Sequence, residues 1–441
     1  MTGTAVDLFR RRVEEHGDRP ALRELPAGGA EDRRTLTWAE WGRTSRRFAA
    51  ALVTEGHARG EVAAVWARNR LEWPAAEMGI LRAGLVSMGL YPSSAASQVR
   101  DRLRDAGVTV LVVDGEDRLR RALEVADDLP RLRRVIAARG AGASGESVPW
   151  EGWLERGATA LQDAGGGAAT ELEDRQRGME AGDDAVLIYT SGTTGEPRGG
   201  RISHRYLLGS ARSIAEVLGL GPDDSALSFL PYSHAAERVF GLHTRILCGM
   251  EAALVPDPGR VRDAARDYGP TLFGAVPRHF EKLHQALRNR QESATGRRAR
   301  QWEETLELGR RRSRLRRQGR PVPGELEERW RDRGGAVLEE ARAMLGGGVR
   351  RLTSGGGHLQ PEVAEYLDAL GLTVLGAYGL TEHVCVAMNR PDRYDFRSSG
   401  PVMPGTDVRI AEDGEIMIRR GDLTFSGYLD RPRETEAAFP D

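Results

Sequence analysis

Three short, nearly apolar runs, Glu61 to Trp66, Val86 to Leu90 and Val108 to Val113, are separated by segments with apolar residues at helical spacing. A strand that is apolar throughout must be buried on both faces, and that happens when helices cover both sides of a parallel sheet. The separating segments fit this role. Asn69 to Gly84 puts Trp73, Ile80 and Leu81 on one helical face, and Ala95 to Ala106 reads as a second helix. Upstream, Val6, Leu8, Phe9 and Val13 form a helical stripe ending near Gly17, and Thr37 is placed to cap a helix facing inward with Trp41, Phe48 and Leu52. The fold class is therefore α/β.

Residues 138–182 change character. Gly, Ala, Ser and Glu dominate, so the stretch reads as a connection with only a short helix around Trp150 and Trp153. A second α/β series follows, with strands Ala185 to Tyr189, Ser225 to Leu230, Ala252 to Val255 and Thr271 to Ala275. Its helices start at His204, around Val239 to Leu247 and at Pro277. Residues 288–340 are highly charged and helical in pattern. The end turns β-rich, with Asp413-Gly414 as a hairpin turn between Thr406 to Ile410 and Glu415 to Arg419. The expected subdomains are 1–180, 181–390 and a β-rich 391–441.

The 441 residues are 40% hydrophobic and 29% charged, with a formal net charge of −1, so bulk electrostatics do not favour nucleic acid as a partner. Arginine supplies nearly all the positive charge, and Lys282 is the sole lysine. Any step that needs a lysine must use Lys282 or go without. Seven of the arginines crowd into 309–320, a run that reads as a solvated helix face or as a surface for anionic lipid or the phosphates of CoA. Cys248 and Cys385 lack metal-ligand spacing and read as buried thiols. With neither an apolar leader nor a long apolar run, the chain is expected to be cytoplasmic.

Five stretches carry chemistry. Tyr189-Thr190-Ser191-Gly192-Thr193-Thr194-Gly195-Glu196-Pro197-Arg198-Gly199 follows an apolar strand and precedes the helix at His204. Closely spaced glycines let the backbone present N–H groups to an anion, and hydroxyls add donors at the same place. The spacing is not that of a Walker loop. Gly376-Ala377-Tyr378-Gly379-Leu380-Thr381-Glu382 offers an aromatic face, a hydroxyl and a carboxylate in close order. Ser354-Gly355-Gly356-Gly357-His358-Leu359 offers small residues that a flat ligand can approach. Phe229-Leu230-Pro231-Tyr232-Ser233-His234-Ala235-Ala236-Glu237-Arg238 and Val276-Pro277-Arg278-His279-Phe280-Glu281-Lys282-Leu283 complete the set.

The first of these resembles the phosphate-binding signature of the adenylate-forming superfamily, with Arg198 where that family usually has Lys. The next two resemble its second signature and its adenine-side stretch, with His358 where Pro is usual. The 229–238 and 276–283 segments, with the charged stretch ending at Val322-Pro323, resemble the long-chain fatty-acyl-CoA ligases within it. Gly414 to Arg419 and Ser426-Gly427-Tyr428-Leu429 resemble further family stretches, so the likeness covers almost the whole chain.

The resemblance implies two parallel-rich sheets covered by helices and a small β-rich, distorted-barrel subdomain. It implies ATP, Mg²⁺ and CoA as reactants, with a long-chain fatty acid or another carboxylic acid converted to acyl-AMP and then to a thioester. Thr190, Ser191, Gly192, Thr193, Thr194, Gly195 and Arg198 would cradle phosphate. Gly355, Gly356, Gly357, Ala377 and Tyr378 would hold adenine, Thr381 the α-phosphate, and Glu382 the Mg²⁺. His234 would lie beside the acyl carboxylate, and Lys282 would be a surface residue. The family's next stretch after Asp441 is not in this sequence, nor is the small domain whose lysine assists adenylation, so the expectation is an adenylation body that binds substrates and turns them over slowly. A carrier-protein thiol as acceptor, peripheral membrane contact, and a non-catalytic binding subunit are the other readings.

Overall fold

The computed structural model describes residues 3–25, 33–142, 144–163, 165–190 and 197–439. Among them two eight-stranded sheets form the body. The first runs, edge to edge, Gly427–Tyr428, Arg198–Ser203, Asp184–Thr190, Val86–Gly89, Val62–Trp66, Val110–Val113, Arg134–Ala137 and Val148–Pro149. The second runs His383–Met388, Val374–Leu380, Arg351–Ser354, Leu272–Ala275, Ser225–Ser228, Glu251–Leu254, Pro20–Glu24 and Arg34–Thr37. Parallel pairing dominates the interior of both, as apolar strands separated by helices require.

Sheet membership does not follow chain order. Strands 184–203 lie beyond the expected 1–180 segment but join the first sheet, and strands 20–37 join the second. The β-rich end also departs from expectation: among the described residues it closes no barrel. Val408–Ile410 and Ile416–Ile418 make a two-stranded ribbon, and Gly427–Tyr428 joins the first sheet instead.

Local signals work where the chemistry is local. Thr37 caps helix Trp38–Thr54, its hydroxyl accepting from the Glu40 amide at 3.2 Å while Glu40 accepts from the Thr37 amide at 2.8 Å. The 138–182 stretch is not a simple connection, for it holds helices Trp150–Gln162 and Gly167–Arg177. Its small residues are packing residues. A Cβ on Gly157 would fall 1.8 Å from the Arg47 carbonyl oxygen, so glycine lets this helix press against Trp38–Thr54, where Phe48 meets Trp150 and Trp153.

The charged 288–340 stretch is helical as expected. Helices Gly296–Arg317 and Gly324–Ala343 pack antiparallel, tied by Arg298 to Glu340 at 2.5 Å and by Arg312 to Glu327 at 2.7 Å. Its arginine run divides by environment. Arg310, Arg311, Arg314 and Arg320 are exposed, while Arg312, Arg316 and Arg317 are half-buried over the rings of Trp330, Tyr394 and Phe396.

The two sheets are joined by buried charge. Arg238 follows strand Ser225–Ser228 of the second sheet, and its guanidinium bonds Glu77 of helix Glu72–Arg82 (Nε to Oε1, 3.0 Å) and Ser87 of the first sheet (2.5 Å). Glu77 and Arg238 are fully buried. The guanidinium also lies 4.7 Å from the Trp73 ring centroid. Burial pushes the Glu77 carboxyl up, but Arg238 and His243 outweigh it and hold its pKa down to about 2. Glu77→Ala would strand a buried guanidinium. The expected loss is about 3–5 kcal/mol by denaturant unfolding, largely recovered in Glu77→Ala/Arg238→Met. A Glu77→Ala chain as stable as the parent would remove this pair from the joint.

Candidate functional site

Four neighbouring strands of the second sheet, Ser225–Ser228, Leu272–Ala275, Arg351–Ser354 and Val374–Leu380, pair parallel in that order. Their carboxyl ends therefore open on one edge, where ligands of open α/β sheets bind. The segments that leave this edge are the ones the sequence singles out: 229–238, 276–283, 355–359 and 378–382.

A cleft of ≈ 490 Å³ lies there, lined by Gly356, Gly357, Ala377 and Tyr378 with Ser354, Asn389 and the 396–399 loop. Glycine sets its floor. Cβ atoms on Gly356 and Gly357 would sit 3.7 Å from Val276 and 3.4 Å from Pro277, so the 276–283 segment begins directly behind the glycines. Gly355 precedes them, its amide donating to the Ala275 carbonyl at 3.3 Å. The Tyr378 ring is 38% exposed. The Ser354 hydroxyl is buried and has no hydrogen-bond partner among the described residues. Asn389 pins the opposite wall, donating to the carbonyls of Asp395 and Ser398 at 3.2 and 2.8 Å. Behind that wall Arg316 donates to the Pro391 carbonyl at 3.3 Å, and the Arg317 guanidinium lies 5.4 Å from the Phe396 ring centroid. The charged helices thus buttress the cleft.

Past Tyr378 the strand turns back at once. Leu380 pairs with His383, so Thr381 and Glu382 are the two residues at the tip of a β-hairpin. Tyr206, fully buried on helix His204–Leu218, grips its base. Its hydroxyl donates to the Thr381 carbonyl at 3.0 Å and accepts from the Val384 amide at 2.7 Å. The Phe425 amide donates to the Glu382 carbonyl at 2.9 Å, and the Tyr428 hydroxyl donates to the Glu382 carboxylate.

A second hairpin meets the first. Thr190 pairs with Arg198 across strands Asp184–Thr190 and Arg198–Ser203, and the Thr381 methyl group lies 3.7 Å from a Cβ built on Gly200. Ser191, Gly192, Thr193, Thr194 and Gly195 lie outside the described residues. The stretch connects two strands rather than a strand and a helix, because Arg198–Ser203 continues the sheet before the helix begins at His204. The Arg198 guanidinium lies 5.6 Å from the Tyr428 ring centroid.

His234 also leaves the shared edge, in the turn before the helical segment Ala236–His243. It is solvent-accessible, yet enough protein surrounds it that desolvation lowers its pKa. Its hydrogen bonds are local, to Pro231, Ala236 and Arg238. Lys282 is exposed on helix Pro277–Ser293. Sequence reading does not single out Tyr206, Tyr428 or Glu77, whose roles arise from long-range contacts. The one usable signal is that Tyr428 sits in a stretch with family resemblance.

The fit to Mg²⁺ rests on the donor set. Among the described residues no cluster of three or more His, Cys, Asp or Glu could hold a metal ion. Mg²⁺ binds through one or two carboxylates plus substrate phosphates rather than an all-protein cage, and Glu382 at an accessible hairpin tip suits that mode.

The model of the AMP-binding enzyme family matches residues 9–429. The chain belongs to that family. Among relatives of this AMP-binding enzyme, the long-chain-fatty-acid–CoA ligase FadD15 of Mycobacterium bovis is 30% identical over 425 residues, covering 92% of this chain and 66% of that protein. The Drosophila melanogaster long-chain-fatty-acid–CoA ligase heimdall is 29% identical over 460 residues, covering 98% of this chain and 65% of that protein. The chain thus spans just under two thirds of their length. The fold is shared with the anthranilate CoA ligase AuaEII, solved with anthranoyl-AMP, at a TM-score of 0.73 and 18% identity over 99% of this chain and 72% of that one. Among the described residues no helix of this AMP-binding enzyme is long and apolar enough to cross a membrane.

The hairpin tip depends on close backbone contact. A Cβ on Gly379 would fall 2.0 Å from the Val384 carbonyl oxygen across the turn. Gly379→Ala is expected to cost about 1–3 kcal/mol in denaturant unfolding, as overpacking does. Unchanged stability would mean that the turn is looser than this geometry.

Proposed function

We propose that this chain is the nucleotide- and acyl-binding body of a ligase that activates fatty acids by adenylation. In the first half-reaction a carboxylate oxygen of the fatty acid attacks the α-phosphorus of ATP in line. The acyl–phosphate bond forms, the bond to the bridging oxygen breaks, and pyrophosphate leaves with its electron pair. In the second, a thiol attacks the acyl carbonyl and AMP departs. CoA is the assigned thiol, and a carrier-protein thiol is the other source.

The main support is the convergence of 229–238, 276–283, 355–359 and 378–382 on one sheet edge. The relatives' names supply the substrate class. Within that edge, Tyr378 would stack on adenine over the Gly355–Gly357 floor, with Ala377 beside it. The Ser354 hydroxyl would gain a partner that it lacks among the described residues. Thr381 would donate to an α-phosphate oxygen, while Thr190, Arg198 and the 191–195 residues would face the outer phosphates. Mg²⁺ on Glu382 would supply positive charge at the phosphate oxygens. His234 would border the acyl carboxylate, neutral at physiological pH because its pKa is lowered.

Catalysis here rests on bringing two anions together and neutralising them, not on a protein nucleophile. The sole lysine is on an exposed helix face, so arginine must supply the side-chain charge. Each donor at the reacting phosphate is commonly worth about 10²–10³ in rate. The chain alone is therefore proposed to bind ATP and fatty acid and to adenylate slowly.

Calorimetric titration with non-hydrolysable acyl-adenylate analogues of short, medium and long chain tests this. Affinity is expected to rise with chain length, and Tyr378→Ala to lose about 1–3 kcal/mol of it. Absence of binding at every length would overturn the reading, and an unchanged Tyr378→Ala affinity would move the base elsewhere.

A further inference from the structure

Tyr428 is held through both its backbone and its ring, and its hydroxyl points at Glu382. Its backbone pairs antiparallel with Gly200 at the edge of the first sheet. Its amide donates to the Thr435 hydroxyl at 2.9 Å, which sets the turn into helix Pro432–Ala438. Its ring meets Phe425 edge to face, with centroids 4.8 Å apart at 69°. The Arg198 guanidinium lies over the ring at 5.6 Å. With ring and backbone held, the hydroxyl donates to Oε1 of Glu382. The neighbouring Phe425 amide holds the carbonyl of the same residue at 2.9 Å.

We propose that Tyr428 is the positioning residue for Glu382, taking Oε1 so that the carboxylate turns Oε2 toward a divalent cation bound with the nucleotide. This rests on the assignment of Glu382 to that cation.

A glutamate at a two-residue hairpin tip has three side-chain torsions and no helix or sheet neighbour to restrict them, so an isolated one would order only when the ion arrives. A hydrogen bond to one carboxylate oxygen removes that freedom beforehand and fixes which oxygen is offered. A guanidinium over the phenol ring is attracted to its π face and polarises the phenol, strengthening its donation. Because Arg198 ends the 190–198 stretch and Tyr428 bonds Glu382, one ring links the phosphate-side hairpin to the metal-side hairpin.

Tyr206 differs in kind. It holds the hairpin through main-chain groups only, so its loss would move Thr381 and Glu382 together. Tyr428 acts on the Glu382 side chain, and only it should alter metal dependence selectively.

The test is titration of the 441-residue chain with ATP, with and without Mg²⁺, for the parent, Tyr428→Phe, Glu382→Gln and the double variant. Tyr428→Phe keeps the ring contact with Phe425 and the position of Arg198 over the ring while removing the hydroxyl's bonds to Glu382 and Arg198, and a melting temperature near the parent's verifies the fold. The expected result is a loss of about tenfold or more in ATP affinity with Mg²⁺, little change without it, and no further loss when Tyr428→Phe is added to Glu382→Gln. Equal losses with and without Mg²⁺, or full additivity, would reduce Tyr428 to packing and overturn the proposal. Parent-like Mg²⁺ dependence in Tyr428→Phe would do the same while leaving the adenylation reading intact. A parent chain with no Mg²⁺-dependent ATP binding would instead remove the metal assignment, and this inference with it. Should Tyr428→Phe fold poorly, Tyr428→Met supplies the same comparison, since it fills the ring's place and removes the donor while leaving Glu382 intact.

Discussion

The Glu77–Arg238 pair carries the architecture because it is where two separately built sheets become one body. Each sheet could satisfy its own backbone. What neither can do alone is fix its angle and distance to the other, and apolar contact is too tolerant of sliding to do so. A buried guanidinium shared between Glu77 and Ser87 and stacked on Trp73 has few alternative positions. Close backbone contact reinforces it, since a Cβ on Gly89 would come within 2.7 Å of the Ser233 Cα. Both elements belong to the 229–238 segment, so the residues that lock the sheets together also form one side of the ligand edge. A second buried glutamate shows how finely this is balanced. Glu237 has a single cationic partner, Arg245, and burial raises its pKa, whereas Glu77, held by Arg238 and His243, is lowered.

Once the sheets are fixed, the site follows from hairpins. Thr381 and Glu382 sit at the tip of one from the second sheet, and Thr190 and Arg198 begin the loop of one from the first. Hairpin tips are ordinarily mobile, a poor property for groups proposed to meet phosphate oxygens within a few tenths of an ångström. Here the Thr381–Glu382 tip is held from three directions, by Tyr206, Phe425 and Tyr428. The cleft beside it is stiffened likewise, with Asn389 bonding the loop from within and Arg316 and Arg317 pressing from behind.

Much of the fold was legible because its signals are local. The apolar strands, the Thr37 cap and the helix after Pro277 each depend on neighbours in sequence, and each stands close to its expected bounds. The 138–182 stretch was misread because small residues mean two things. In a loop they signal freedom, and at a helix crossing they signal contact, and only the Arg47 carbonyl opposite Gly157 decides which. The β-rich end misled for a related reason: alternation shows that strands exist but not which partner each takes, and Tyr428 pairs with a strand more than two hundred residues earlier. At the site, motifs singled out Tyr378, Thr381 and Glu382 as candidates, and the fold brings them to one edge. They could not reveal Tyr206, an ordinary helix residue in sequence that becomes a clamp through a contact 175 positions away.

The near-absence of lysine also takes a structural meaning. Composition shows that arginine is common, not where it is placed. Arg312, Arg316 and Arg317 lie over Trp330, Tyr394 and Phe396, and Arg238 lies over Trp73. An ammonium group is attracted to a ring face too, but it is compact and strongly hydrated, so it gives little stacking area and loses more on desolvation. A planar guanidinium covers the ring and still directs N–H groups sideways, as Arg316 does to the Pro391 carbonyl. The same logic accounts for Arg198, the position where the family usually has lysine. There the guanidinium lies 5.6 Å from the centroid of the Tyr428 ring, whose hydroxyl bonds Glu382. Under the proposed function, the aromatic neighbour holds the Arg198 charge next to the hairpin that carries Glu382.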